Sequence, residues 1–251
     1  MKPFPFSERV FALLGDFMNY FLINEKLPAD IRAALTVYGK CIPLPPLETL
    51  PFPVCHHPDM LIADIGDTLL IHEEYKTGQE ILHTLEIPFV LSHTPVENNY
   101  PGDVRLNCFT IRNFFVSGKN VSDDARALAE QKGFSSLVVR QGYAKCSTVI
   151  AGGAIATADK NIAGVANSAG IPTLLLSPEH IDIETYDTGF IGGASVLIDE
   201  KTIGFFGDIT RFAQYEALRD FFESHGVSLI SLGKEPLFDY GGAVVFHSII
   251  T

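Results

Sequence analysis

The stretch DYGGAVVFHSII, residues 239–250, sets a glycine pair directly before a run of apolar and β-branched residues. Residues 243–250 read as a β-strand. A lone strand leaves its backbone donors and acceptors unpaired. It therefore pairs with an earlier part of the chain, or it begins a unit that another segment completes.

Four earlier stretches resemble it. They are IGGASVLID from Ile191, YAKCSTVIAGG from Tyr143, YPGDVRLNCFTI from Tyr100 and HPDMLIADIG from His57. Each has a two-residue slot before its strand: Pro58-Asp59, Gly102-Asp103, Lys145-Cys146, Gly192-Gly193 and Gly241-Gly242. Successive slots lie 44, 43, 47 and 49 residues apart. A period in the forties marks a supersecondary unit repeated along or around an axis.

The second unit displays the content of the repeat. VRLNCFTI and FFVSG read as two strands, SDDARALAEQKG as a helix and SSLVVRQG as a third strand. Ser122 has the character of an N-cap and Gly133 of a C-terminal stop. The fourth unit repeats this as ASVLID, TIGFFG, ITRFAQYEALRDFFESHG and VSLISLG; the third carries only a short helix around NIAGVANSAG. The expected unit is ββαβ, with units spanning about 56–100, 101–143, 144–190 and 191–240. Residues 241–251 then open a fifth unit. The helix ADIRAALTVYGK and the strand CIPLPP, within 29–46, supply its remaining parts. The expectation is a single α/β domain in which both ends of the chain meet and close a ring, which removes exposed sheet edges. Residues 1–28, around SERVFALLGDFMNYFL, read as an extra amphipathic helix packed outside the ring or available to a partner.

The composition, 47% apolar and 19% charged over 251 residues, is globular. A balance of 18 basic against 30 acidic residues gives a net charge of -12, and no basic cluster is visible. Nucleic acid is excluded as an expected partner, and a small cation suits the field better. The four cysteines show no metal-finger spacing and read as free thiols. Without a signal peptide or an apolar run near the ~18 residues a span requires, a cytoplasmic protein off the membrane is expected.

Five ββαβ units opened by glycine-containing slots resemble the pentein fold, a five-bladed α/β propeller. Its members include the guanidino-modifying enzymes: deiminases, dimethylargininase and amidinotransferases. A ribosome-binding initiation factor shares the fold without enzymatic activity. The resemblance implies functional positions. ADIGDTLLI resembles the family stretch whose Asp binds the guanidinium, which places Asp64 there. YPGDV resembles Glu-Gly-Gly-Asp, with Tyr100 replacing the glutamate ahead of Asp103. Gly189-Phe190-Ile191-Gly192 matches the Gly-His-x-Asp stretch without its His and Asp. His247 stands where the nucleophilic cysteine is expected. One of these five functional positions keeps its residue.

Other candidates come from the repeat. Five residues beyond each slot lie Asp64, Cys108, Ala151, Ile198 and His247. Equivalent strand positions share a face, so Asp64, Cys108 and His247 are expected around one cavity as binding carboxylate, nucleophile and base. The plainer alternative is a packing thiol and a hydrogen-bonded histidine. Cys146 beside Lys145 is a second nucleophile, its thiolate favoured by the cation. In SPEHIDIETYDTGF, His180 and Asp182 offer an acid/base pair, and Asp187 a further carboxylate, on a loop over the ring mouth; a solvated turn explains them equally. His56, His57 and Asp59 have weak metal-type spacing, and neither metal nor cofactor is expected. AGGAIATAD lacks the order of a dinucleotide loop.

Three functions follow. The first is a hydrolase-like enzyme on C–N bonds, with Asp64, Asp103, Tyr100, Asp182 and Asp187 binding a cationic or amide-bearing molecule. The second is a non-catalytic binding module, and the third a protein-interaction scaffold. A homodimer is left open.

Overall fold

The computed structural model describes residues 17–249. Five three-stranded sheets carry the chain. The first contains β3 (Ile62–Asp64), β4 (Leu69–His72) and β5 (Phe89–Ser92); the second β6 (Cys108–Ile111), β7 (Phe114–Gly118) and β8 (Ser135–Val139). The third contains β9 (Thr148–Ala151), β10 (Ala154–Thr157) and β11 (Thr173–Leu175); the fourth β12 (Ser195–Asp199), β13 (Thr202–Phe205) and β14 (Ser228–Ser231). The fifth joins β15 (Ala243–Ile249) to β1 (Phe17–Asn24) and β2 (Lys40–Leu44). In every sheet the middle strand runs antiparallel to the inner strand and parallel to the outer one. A helix links middle to outer strand each time: α1 (Ala29–Thr36), α3 (Lys76–Thr84), α4 (Asp123–Gln131), α5 (Lys160–Ser168) and α6 (Tyr215–Glu223). A single turn, α2 (Pro58–Leu61), precedes β3. None of these helices is long and apolar enough to cross a membrane.

Local chemistry sets the helix ends. The Ser122 hydroxyl accepts from the backbone N–H groups of Asp124 and Ala125, and Asp159 caps α5 in the same way. Each cap satisfies donors that the first turn leaves orphaned.

The fifth sheet corrects the expectation for residues 1–28. Residues 17–24 form the central strand of that sheet, not an outer helix; residues 1–16 lie outside the described ones. Phe21 pairs with Val245 on one side and with Cys41 on the other. The chain ends therefore complete one ββαβ unit, with β1 as the second strand that the sequence reading lacked.

Packing explains why β1 hid. Five apolar cores occupy the five junctions between neighbouring units. Phe21 and Ile23 enter the junction with the fourth unit, whereas Leu22 enters the junction with the first. All three are fully buried. A strand covered on both faces shows no polar alternation to betray its period of two.

At the axis the slots touch. Asn107 Nδ2 donates to the Asp59 carbonyl at 3.2 Å, and Asn107 Oδ1 accepts from the N–H groups of Lys145 at 2.8 Å and Cys146 at 3.3 Å. Gly193 N–H donates to Cys146 O, Gly242 N–H to Gly193 O, and Asp59 N–H to Gly241 O. These bonds form a closed belt through all five units. The glycines are there because backbone meets backbone. A Cβ on Gly192 would lie 2.5 Å from the carbonyl oxygens of Lys145, Cys146 and Thr148. In the second unit the Asn107 side chain reaches both neighbours in place of a glycine backbone.

Candidate functional site

All five inner strands border a pocket of about 600 Å³ on the ring axis. Asp59, Lys145, Gly241 and Gly242 come from the slots. The inner strands add Asp64, Cys108, Asp199 and His247, and the hairpin turns add Asp67 and Glu200. Five carboxylates thus line it against one lysine. Val149, Val196, Val244 and Phe109 make much of the remaining wall apolar.

Beneath it lies a buried polar group. The Cys146 thiol donates to Asp59 Oδ2 at 2.9 Å, and Asn107 Nδ2 donates to Cys146 Sγ at 3.0 Å. Asp59 Oδ1 is buried with no hydrogen-bond partner. Burial lifts the Asp59 carboxyl to about 6, against the opposing pull of the Cys146 bond and the Lys145 charge. Burial also pushes the Cys146 thiol up, with the charges of Asp59 and Asp239 adding to it. The expectation of a thiolate beside Lys145 is reversed. Lys145 is itself desolvated, which lowers its ammonium, while two carboxylates face the sulfur.

Asp64, Cys108 and His247 do line one pocket, as the strand argument anticipated. Asp64 is solvent-exposed, yet it stands in a concave wall; desolvation there and the Asp67 charge lift its carboxyl to about 6. Cys108 is 3% exposed and packs in the apolar junction between the first and second units. Burial, with the Asp64 charge, raises its thiol. His247 is exposed and shares a hydrogen bond through Nδ1 with Asn19 Oδ1 at 2.8 Å. Ala151 and Ile198 are buried in junction cores. The counting rule fails for them because Cys146 and Gly193 stand an even number of residues ahead of their strands, while Asp59, Asp103 and Gly242 stand an odd number ahead, so the fifth residue falls on the opposite strand face.

The remaining candidates lie outside this pocket's lining. Asp103 is fully buried, with the Tyr143 hydroxyl donating to Oδ2 and Oδ1 unpartnered. Tyr100 is half-exposed and stacks on Tyr143, whose other neighbour is Phe190, at centroid separations of 5.9 Å. His180 pairs with Asp182 at 2.9 Å as the sequence suggested, but both side chains are largely exposed. Asp187 is exposed. Thr188 and Phe190, from the same loop, line a separate pocket of about 210 Å³. Asp239 is fully buried and accepts from the N–H groups of Phe190 and Gly241. Its carboxyl is lifted by burial and by Asp59 to about 7.

Sequence reasoning missed the floor. The sequence reading weighs Asp59 as a slot residue with weak metal-type spacing and Lys145 as the cation beside Cys146, and it does not single out Asn107. The available signal was a single Asn inside the apolar run VRLNCFTI, since a polar group there requires partners.

The model of the family of unknown function DUF6873 matches residues 22–244. No curated protein matches the sequence. Among solved structures, a cysteine-to-serine mutant of DDAH from Pseudomonas aeruginosa, complexed with citrulline, is 16% identical with a TM-score of 0.50; the match covers 88% of this chain and 86% of that one. A dimethylarginine dimethylaminohydrolase variant in an adduct with S-methyl-L-thiocitrulline is 13% identical with a TM-score of 0.53, covering 94% and 100%. The shared feature is the fold, a pentein ring of five ββαβ units.

Proposed function

For this chain, which belongs to the family of unknown function DUF6873 and has the pentein ring, we propose that the axial pocket binds a small cationic metabolite, an amine or a guanidinium. One observation carries the reading: Asp59, Asp64, Asp67, Asp199 and Glu200 line the pocket with Lys145 as the one basic side chain of the lysine or arginine type among them. Carboxylates pair well with either cation, and a concave site with apolar walls strengthens the attraction. The two similar structures hold citrulline and S-methyl-L-thiocitrulline, compact ligands of comparable size class.

Calorimetry with agmatine, arginine and putrescine, set against neutral citrulline and anionic glutarate, tests this. Binding of the cations is expected, weakened by salt and by the double replacement Asp64→Asn with Glu200→Gln. Equal binding of glutarate, or no binding by any cation, overturns it.

A catalytic version has one supporting observation, the Cys146 thiol bonded to Asp59 at the pocket floor. There Asp59 would take the thiol proton as sulfur attacks an electron-poor carbon. A C–S bond would form, the C–N bond break and the amine leave with a proton, before water released the adduct. The raised thiol opposes that first step, so binding without turnover is the favoured form. Ammonia or amine release from agmatine or an amino-acid amide, lost in Cys146→Ser, would reverse the preference.

A further inference from the structure

Lys145 stands apart from every other described lysine. The others are exposed; Lys145 is half-buried and faces the floor of the axial pocket. Among the described residues it forms no ion pair. It shares the pocket lining with Asp59, Ile62, Val149 and the glycine pair Gly241-Gly242. A lysine so placed has lost much of its hydration without gaining a close counter-ion. That environment favours the neutral amine, the nucleophilic form.

We propose that Lys145 captures a small aldehyde or ketone as a Schiff base at the floor of the axial pocket. The neutral Nζ adds to the carbonyl carbon and forms a C–N bond, while the carbonyl π pair moves to oxygen. That oxygen gains a proton, nitrogen loses one, and the carbinolamine expels water to leave C=N. No oxidant or reductant enters the step. Asp59 lines the same pocket and is a titratable group there that can exchange these protons through water: its Oδ1 has no hydrogen-bond partner, and its carboxyl is lifted to about 6. Asp64, Asp67, Asp199 and Glu200 lie along the same pocket. The preferred ligand is therefore a carbonyl compound with a cationic group at its far end. That preference rests on the binding reading above; the imine itself rests on Lys145.

The test is trapping of the full-length protein with cyanoborohydride at neutral pH, using butanal and betaine aldehyde as separate probes, with peptide mass spectrometry as the readout. Each unit by which an ammonium is depressed raises its neutral fraction about tenfold. Lys145 is accordingly expected to label faster than each exposed lysine, and faster with betaine aldehyde than with butanal. Equal labelling by both probes supports the imine site and removes the cation preference. Labelling spread over exposed lysines, with Lys145 not ahead for either probe, overturns the proposal even if amines still bind. Because the wild-type protein gives the decisive readout, the result does not depend on whether Lys145→Met folds.

Discussion

Cys146 Sγ lies 2.9 Å from Asp59 Oδ2, and the thiol donates to the carboxylate. A sulfur that lends its proton to a buried anion resists ionisation twice over, through burial and through charge. Alkylation by iodoacetamide should therefore leave Cys146 and Cys108 slower than the half-buried Cys41 between about pH 7 and 9. Replacing Asp59 with Asn removes one facing charge, so the Cys146 profile should move to lower pH. Wild-type Cys146 reacting as fast as Cys41 would contradict the arrangement.

Asn107 is expected to be worth more than an ordinary buried amide. Asn107→Leu keeps the branched shape but strips partners from the N–H groups of Lys145 and Cys146 and from the Asp59 carbonyl. Each unmatched buried group costs about 1–3 kcal/mol. A loss on the order of 3 kcal/mol in urea unfolding is the expected outcome, and a loss below about 1 kcal/mol would mean the link is dispensable.

Gly192→Ala places a methyl against three backbone oxygens that cannot swing aside. Overpacking of this kind costs about 3 kcal/mol or more when rigid backbone is the obstacle. Gly164→Ala, an internal control in α5 with open space around it, should be neutral or slightly stabilising. Thermal melts of the two variants side by side give the comparison.

His72 offers a pH signature. It is 1% exposed, its Nε2 meets the Met60 carbonyl at 3.1 Å, and burial lowers it to about 4. A depressed imidazole stays neutral in the folded protein while the unfolded chain gains a proton below about 6.5. Its contribution is full above that pH and is lost as the pH falls toward 4, by on the order of 3 kcal/mol. His72→Gln keeps a donor for Met60 and cannot titrate. The stability difference between wild type and variant should therefore shift in favour of His72→Gln on acidification from pH 7 to 4. Measuring a difference cancels the opposite trend from Asp59 and Asp239, whose raised carboxyls contribute stability that is lost as the pH rises through about 6 and 7. A constant difference across the range would place the histidine in water.

The repeat was legible because backbone crowding leaves a chemical mark. Gly192-Gly193 and Gly241-Gly242 occur where neighbouring units bond directly, so glycine spacing tracked the ring. Ser122 likewise announced α4, because capping is local chemistry. Residues 17–24 were illegible for the opposite reason: Phe21, Leu22 and Ile23 are buried against different neighbours, and only the assembled ring distinguishes their faces. The site was half legible. Asp64, Cys108 and His247 share the pocket, but the floor of Asp59 and Lys145 depends on turn geometry just ahead of the strands, where unequal offsets defeat counting. His180 and Asp182 do share a hydrogen bond but lie outside the pocket lining, since sequence proximity fixes a pair without fixing what it faces.

The belt through Asp59, Asn107, Cys146, Gly193 and Gly242 has no free end. In an open solenoid a terminal repeat can fray alone, because it severs one neighbour contact. Here any blade that departs must break two junctions at once, so piecemeal unravelling has no inexpensive first step. Hydrogen exchange should consequently give slot amides from all five blades one shared opening free energy, the mark of a molecule that comes apart in a single concerted event.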